Sequence, residues 1–477
     1  MTAMAFDLDM RPLARAYAEF PQHFPEPGRV EHVAAELLAA LDQTMGNVLK
    51  ELGRGPSAIG ITNQRETVFA LDADTGEALA PGIVWQDRRT AARCRELKAE
   101  GLEETIRSKS GLVLDPYFSA TKMEWLLQHS PGVQAAAKRR SLRFATVDAL
   151  ILDHLKCGEH LMTDATNASR TMLVDLGAPL EYDDELLSIF GVERWMLPEI
   201  LPSGSAFGEV QLGSEAVPVA GVLGDQQAAL YGQGCWDAGD LKNTYGTGCF
   251  LLLNTGEKRV RSKAGLLTTV ASDRQGQPVF ALEGSSFAGG TVIQWMRDQL
   301  GLFEEAAESE GLAQSVEDTG GVVLVPAFAG LGSPHWDPDA RAAILGMTRG
   351  TGRAHIARAG LDAIAFQCTD LIDAMRSDSG EEVRQLRVDG GAAANSYLMQ
   401  RQADLAGVRV MRPRNLDSTA RGAAALAAVR AGLIEDPAEA AAFRDVGQTF
   451  EPSVSSEELE ADKRRWADAV GRVRTNR

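Results

Sequence analysis

Two glycine-rich turns, far apart in the chain, constrain the fold more than any other feature. The first covers residues 243–250 (Asn-Thr-Tyr-Gly-Thr-Gly-Cys-Phe), and the second covers residues 389–395 (Asp-Gly-Gly-Ala-Ala-Ala-Asn). Each turn follows or interrupts a strand-like apolar segment. Glycine lets backbone N–H groups approach a phosphate closely, and a threonine hydroxyl adds a donor. Together with a Gly-Asp-Gln-Gln stretch at 224–227, the turns predict a nucleotide held between two domains.

The length and charge of the chain narrow the class of protein. With 477 residues, of which 44% are hydrophobic, the chain is too long for one ordinary domain. We therefore expect two domains, 1–232 and 233–477. The net charge of −18 argues against a protein that binds nucleic acid or an anionic membrane.

The same sequence favours a cytoplasmic protein. No apolar stretch is long enough to span a membrane, and no signal peptide is visible at the start. The five cysteines are scattered and form no CxxC pair, which argues against both a disulfide framework and a zinc site.

Polar residues follow several predicted strands, where open α/β sheets bind ligands. A strand at 58–61 leads into Arg65 and Glu66, and a strand at 217–223 ends at Gly224 and Asp225. The pattern then restarts, with a strand over 243–254 and helices over 288–301 and 353–377. The alternation predicts an α/β fold.

Each of these residues also has an ordinary structural interpretation. A charged pair such as Arg65 and Glu66 can bind a small polyol, but it is more often a solvated loop. Asp225 can be a general base or simply the N-cap of a helix over 226–231. Trp85 and Tyr117 are aromatic residues of the kind usually found in a core. No GxxxxGK[ST] motif occurs, so the chain is not a P-loop NTPase.

The order of the motifs is more specific than any one of them, and it resembles the glycerol kinases among the FGGY carbohydrate kinases. The resemblance extends from about Ala3 to about Trp466. Sister pentulose kinases do not generally carry the Asn-Gln-Arg-Glu or Asp-Pro-Tyr-Phe sequences. The matching motifs are Thr-Asn-Gln-Arg-Glu-Thr at 62–67, Ile-Val-Trp-Gln at 83–86, Asp-Pro-Tyr-Phe at 115–118, Gly-Asp-Gln-Gln at 224–227 and the two glycine-rich turns.

This resemblance implies an α/β fold of two actin-like (ribonuclease-H-like) ATPase domains with an interdomain cleft. It implies ATP-dependent phosphorylation of glycerol to sn-glycerol 3-phosphate with Mg²⁺, in a homo-oligomer (dimer or tetramer) with no nucleic-acid or membrane partner. Asp225 matches the general base and a metal-site residue. The positions that match glycerol contacts are Arg65, Glu66, Tyr117, Asp225 and Gln226, with Trp85 and Phe250 as apolar walls. The positions that match ATP contacts are Thr247, Gly290, Gln294, Gly391 and Asn395.

The chain departs from the family at its start. The family begins with a strand, the turn Asp-Gln-Gly-Thr-Thr-Ser-Ser-Arg and a second strand, and residues 1–7 resemble only the second strand. In the family, that turn contributes to the Mg²⁺ site and contacts phosphates. An active kinase and a catalytically weak or inactive homologue that still binds glycerol therefore both remain open. A kinase for another polyol or sugar is disfavoured by Arg65, Glu66 and Tyr117.

Overall fold

The chain contains both strands and helices in the computed structural model, which describes residues 1–177, 180–337, 339–415 and 417–475. The strands are β1 (Thr2–Phe6), β2 (Pro12–Tyr17), β3 (Glu31–His32), β4 (Ile59–Asn63), β5 (Phe69–Asp72), β6 (Gly82–Ile83), β7 (Leu142–Ala145), β8 (Met162–Asp164), β9 (Val174–Asp175), β10 (Glu181–Tyr182), β11 (Glu199–Leu201), β12 (Glu209–Leu212), β13 (Glu215–Gly224), β14 (Leu241–Tyr245), β15 (Cys249–Gly256), β16 (Leu267–Ser272), β17 (Pro278–Ser286), β18 (Val323–Val325), β19 (Ala343–Leu345), β20 (Gln385–Asp389), β21 (Arg409–Arg412) and β22 (Gln448–Phe450). The helices are α1 (Ala34–Leu52), α2 (Ala91–Ala99), α3 (Glu103–Ser110), α4 (Ala120–His129), α5 (Pro131–Arg139), α6 (Val147–His154), α7 (Ala165–Ala168), α8 (Asp184–Phe190), α9 (Asp225–Gly232), α10 (Gly290–Asp298), α11 (Glu308–Gln314), α12 (Arg353–Ser379), α13 (Ser396–Ala406), α14 (Ser418–Arg430), α15 (Ala441–Arg444) and α16 (Ser456–Val473).

The C-terminal half is built on a mixed sheet of seven strands in the order β16-β17-β15-β14-β20-β21-β22. Within it, β14 runs parallel to β20 and antiparallel to β15. The prediction of one strand over 243–254 is wrong, because the turn at Gly246–Gly248 reverses the chain and separates β14 from β15. The long helix α12 packs on this sheet and contributes much of the apolar core of this half.

The N-terminal half has smaller sheets. Its central strand β13 pairs with β12 on one side and runs parallel to β4 on the other. The first two strands, β1 and β2, form a separate antiparallel hairpin. Among the described residues, β1 pairs only with β2 and β4 only with β13, so one side of each strand has no neighbouring strand. Parallel pairing of β4 with β13 brings the residues that follow these two strands to the same end of the sheet.

Two helices, α9 and α14, connect the halves by direct backbone packing. A Cβ atom at Gly422 would collide with the Ala228 carbonyl oxygen, and one at Gly60 of β4 would collide with the Ala423 carbonyl oxygen. Only glycine permits these approaches. Helix α14, although it lies near the end of the chain, therefore packs against α9, β4 and β13.

None of the helices within the described ranges is long and apolar enough to cross a membrane.

Candidate functional site

The two glycine-rich turns predicted from the sequence meet at one edge of the seven-stranded sheet. Because β14 and β20 are parallel neighbours, Thr244 lies beside Asp389 and both turns follow at the same end. Gly390 has a φ of +85°, and a Cβ atom there would lie 2.5 Å from the Tyr245 carbonyl oxygen. A third turn, at Gly289 and Gly290, lies against the first, since the Gly290 N–H donates to the Gly246 carbonyl oxygen at 2.7 Å. The edge thus presents three small-residue turns together.

Four of the five predicted nucleotide residues are accessible at this edge. Thr247, Gln294 and Gly391 are exposed, and Gly290 is half-buried at the start of α10. Asn395 is different, because its side-chain oxygen accepts from the Leu398 N–H at 2.9 Å and caps α13. Its amide nitrogen also donates to the Ser309 hydroxyl at 3.2 Å.

The predicted charged residues meet where β4 and β13 end. Arg65 lies just after β4, and its Nε is 3.5 Å from Oδ1 of Asp225, the first residue of α9. The same Nε is 3.6 Å from Oε1 of Glu66. Burial alone would lower the pKa of Arg65, but the carboxylates of Glu283 and Glu66 outweigh it and raise that pKa above its ordinary value. The guanidinium group therefore remains a fixed positive charge beside Asp225.

Asp225 is not the N-cap of its helix. Gly224 occupies that position, and the Asp225 carboxylate instead accepts from the backbone N–H of Gln226 at 2.8 Å. The N-cap interpretation is therefore wrong, and the side chain, which is 37% exposed, is open to solvent. The described residues contain no group of three or more His, Cys, Asp or Glu that could hold a metal. Mg²⁺ commonly takes one or two carboxylates with phosphate oxygens and waters, and Asp225 fits that mode.

Aromatic side chains form a wall beside these charges. The rings of Trp85 and Tyr117 are 5.5 Å apart and meet edge to face. Burial raises the pKa of Tyr117, and the nearby Glu66 carboxylate adds to the shift. The phenol therefore stays protonated and can donate a hydrogen bond. Phe250, on β15, is half-buried.

Two buried lysines hold the predicted residues in place, and the sequence interpretation missed both. The Nζ of Lys242 donates to the side-chain oxygen of Gln226 at 2.6 Å and to the Phe250 carbonyl oxygen at 3.2 Å. The Nζ of Lys122 donates to the Tyr117 carbonyl oxygen at 2.5 Å. Burial lowers the pKa of each lysine to about 8. In the sequence, Lys242 is the single charged residue of the strand β14. A charge at such a position indicates a buried lysine with polar partners.

Sequence comparison agrees with this geometry. The N-terminal domain of the FGGY family of carbohydrate kinases matches residues 1–232, and the C-terminal domain of that family matches residues 241–431. The chain belongs to the FGGY family of carbohydrate kinases. The glycerol kinase of Shewanella pealeana is 47% identical over 99% of this chain and 97% of that protein. The glycerol kinase of Carboxydothermus hydrogenoformans is 48% identical over 99% of this chain and 95% of that protein.

Solved structures of this FGGY family share the fold. The crystal structure of Plasmodium falciparum glycerol kinase with ADP has a TM-score of 0.93 and 34% sequence identity, covering 99% of this chain and 96% of that chain. A ligand-bound xylulose kinase from Lactobacillus acidophilus has a TM-score of 0.88 at 20% identity, covering 99% of this chain and 95% of that chain; at that identity only the fold is informative. The predicted two-domain, actin-like α/β fold is confirmed.

Proposed function

We propose that this chain transfers the γ-phosphoryl group of ATP to glycerol and releases sn-glycerol 3-phosphate. The observation that carries the proposal is the meeting of Arg65, Glu66 and Asp225 beside an aromatic wall, at the ends of two parallel strands. Glycerol kinases 47–48% identical over nearly the whole chain support the same substrate. The domain boundary near residue 232, the cytoplasmic location and the homo-oligomeric state stay predictions.

The acceptor residues suit a triol. Arg65 and Tyr117 can donate hydrogen bonds to hydroxyl oxygens, and Glu66 can accept from hydroxyl hydrogens. Lys242 holds the side-chain oxygen of Gln226, and the Gln226 amide nitrogen donates to Oδ2 of Asp225 at 3.2 Å, which leaves its second N–H as a donor for the substrate. Trp85 and Phe250 would cover the CH groups of the substrate.

Asp225 would take the proton from the attacking hydroxyl. Its exposed carboxylate lies beside Arg65, so it can be oriented without being fully desolvated. Thr247, Gly290, Gln294, Gly391 and Asn395 would hold ATP along the glycine-rich edge. Asp225 would also contribute to holding Mg²⁺, which neutralises charge on the phosphates when it is bound. Positioning and charge neutralisation provide most of the catalysis in this class of reaction.

The test is ATP-dependent formation of glycerol 3-phosphate by the purified chain, with binding of glycerol measured separately by calorimetry. We expect both, with xylulose and gluconate as control acceptors that support little or no turnover. Turnover with a control acceptor but not with glycerol would contradict the proposed substrate.

A second candidate is a protein that binds glycerol but transfers phosphate slowly. One observation favours it: among the described residues, β1 and β4 each pair with a neighbouring strand on one side only. Adding the family's strand and Asp-Gln-Gly-Thr-Thr-Ser-Ser-Arg turn before Met1 distinguishes the candidates. A large gain in rate at unchanged glycerol affinity supports the slow-transfer candidate. Equal and rapid turnover with and without the addition contradicts it.

A further inference from the structure

Two buried residues outside the predicted site, Arg170 and Glu283, complete a ring of charges with Arg65 and Glu66. Glu283 accepts two hydrogen bonds from Arg65, at 2.6 Å from Nη1 and 3.1 Å from Nη2. Arg170 donates from Nη2 to Glu283 at 2.9 Å and from Nε to Glu66 at 2.7 Å. We call these four residues the arginine–glutamate ring. Each carboxylate in it therefore has two arginine neighbours.

The arginine–glutamate ring is almost completely excluded from solvent. The side chains of its members are each no more than 2% exposed. Burial alone would raise the pKa of Glu283, but Arg170 and Arg65 outweigh it and lower that pKa to about 2. Removing one member would leave an uncompensated charge in this buried position. Glu283 is therefore ionised at neutral pH and held by two arginines.

The ring also joins the two halves of the molecule. Glu283 lies on β17 of the seven-stranded sheet, whereas Arg65 follows β4 in the N-terminal half. Gln227 strengthens the junction, since its side-chain oxygen accepts from Nη1 of Arg65 at 3.2 Å and its amide nitrogen donates to the Val270 carbonyl oxygen at 3.0 Å. The sheet that carries the nucleotide turns thus supplies the main partner of an acceptor-site arginine.

We propose that Glu283 is a positioning residue that aims Arg65 at the acceptor. A bidentate carboxylate fixes the plane of a guanidinium group as well as its position. With both terminal nitrogens of Arg65 held by Glu283, its Nε edge faces Asp225 and Glu66. Arg170 holds Glu66 through a single hydrogen bond from its Nε at 2.7 Å. This assignment rests on the proposed glycerol kinase function and adds a determinant of acceptor binding to it.

The test compares Glu283→Gln with the wild-type chain by measuring the KM for glycerol and the KM for ATP separately. Weakening the charged contact should raise the glycerol KM roughly ten- to a hundredfold while changing the ATP KM less than about threefold. Asp362→Asn is the matched control, because Asp362 is another buried carboxylate that contacts an arginine, Arg401, at 3.3 Å. The control should keep the wild-type glycerol KM.

A second comparison separates positioning from a general loss of structure. If Glu283 acts through Arg65, adding Glu283→Gln to Arg65→Lys should raise the glycerol KM little beyond the effect of Arg65→Lys alone. Glu283→Asp keeps the charge but retracts the carboxylate, so it provides a folded variant with the same expected direction if Glu283→Gln does not fold.

The outcomes are distinct for the two proposals. If the wild-type chain phosphorylates glycerol and every folded Glu283 variant keeps its glycerol KM, the assignment of Glu283 is wrong and the proposed function stands. Fully additive effects of the Arg65 and Glu283 changes would also overturn the assignment. If the wild-type chain neither binds nor phosphorylates glycerol, the proposed function fails and the assignment fails with it.

Discussion

Replacing Asp225 with Asn tests the proposed chemistry with little disturbance of the fold. Asparagine keeps an oxygen that can accept from the Gln226 N–H, as Asp225 does at 2.8 Å. It cannot take a proton from a hydroxyl group, and it loses the attraction between the carboxylate and Arg65 at 3.5 Å. The substitution therefore separates the proton-accepting role from the local structural role.

The two roles have different expected magnitudes. Loss of a general base typically costs about 10²–10⁴ in rate, which corresponds to roughly 2.7–5.4 kcal/mol of activation free energy. The structural cost is smaller, because Gly224 rather than Asp225 is the N-cap. What remains is the interaction of the charge with Arg65 at 3.5 Å and with the helix N-terminus, of which the second contributes about 0.3–1 kcal/mol of unfolding free energy.

The assay is ATP-dependent glycerol 3-phosphate formation, accompanied by denaturant unfolding and by calorimetric titration with glycerol. Asp183→Asn is the matched control, because Asp183 is the N-cap of α8 and pairs with Lys109 at 2.8 Å. We expect the control to lose a similar amount of stability and keep full turnover. An Asp225→Asn variant that retains most of the wild-type rate would refute the role of Asp225 as the base.

Two further predictions concern buried charges. Lys242→Met should raise the glycerol KM roughly tenfold, because Gln226 loses its charged partner. In the wild-type chain, glycerol affinity should fall as pH rises through about 8, where Lys242 loses its proton. Kinetics measured from about pH 6.5 to 9 should therefore show a flatter pH profile for the variant than for the wild-type chain. Burial raises the pKa of Asp148 to about 6, and the neighbouring Asp164 carboxylate adds to the shift. The folded state therefore keeps a proton on Asp148 that the unfolded state releases near pH 4. The free energy of unfolding should fall as pH rises from about 4 to 6. Asp148→Asn should therefore increase the unfolding free energy by roughly 3 kcal/mol at pH 8 and by much less at pH 4. Denaturant unfolding that shows the same change at both pH values would contradict this.

The sequence predicted the glycine-rich edge well because its signals are local. Gly246, Gly248 and Gly390 are of a residue type that favours turns, and the parallel pairing of β14 with β20 then brings the turns together. The same reasoning failed at the detail of element ends. It read through the turn between β14 and β15, and it offered the N-cap of α9 as one role for Asp225, although Gly224 has that position.

The supporting charges were not predicted because their partners are distant in the sequence. Glu283 is 218 residues from Arg65, so no local spacing connects them. Glu283 follows an apolar run in β17, and an unpaired charge there would be costly. A buried strand with a single charge indicates that a partner exists, but only the folded chain shows that the partner is an acceptor-site arginine.

The packing of α14 has a consequence for how this chain is made. Strands β4 and β13 are complete by residue 224, yet the helix that packs on them consists of residues 418–430. During synthesis, the N-terminal sheet must therefore wait for almost the whole polypeptide before that face is covered. Exposed apolar surface in such an intermediate favours aggregation, and late, long-range contacts slow folding. The two halves have their own sheets, but the last steps of their folding depend on each other.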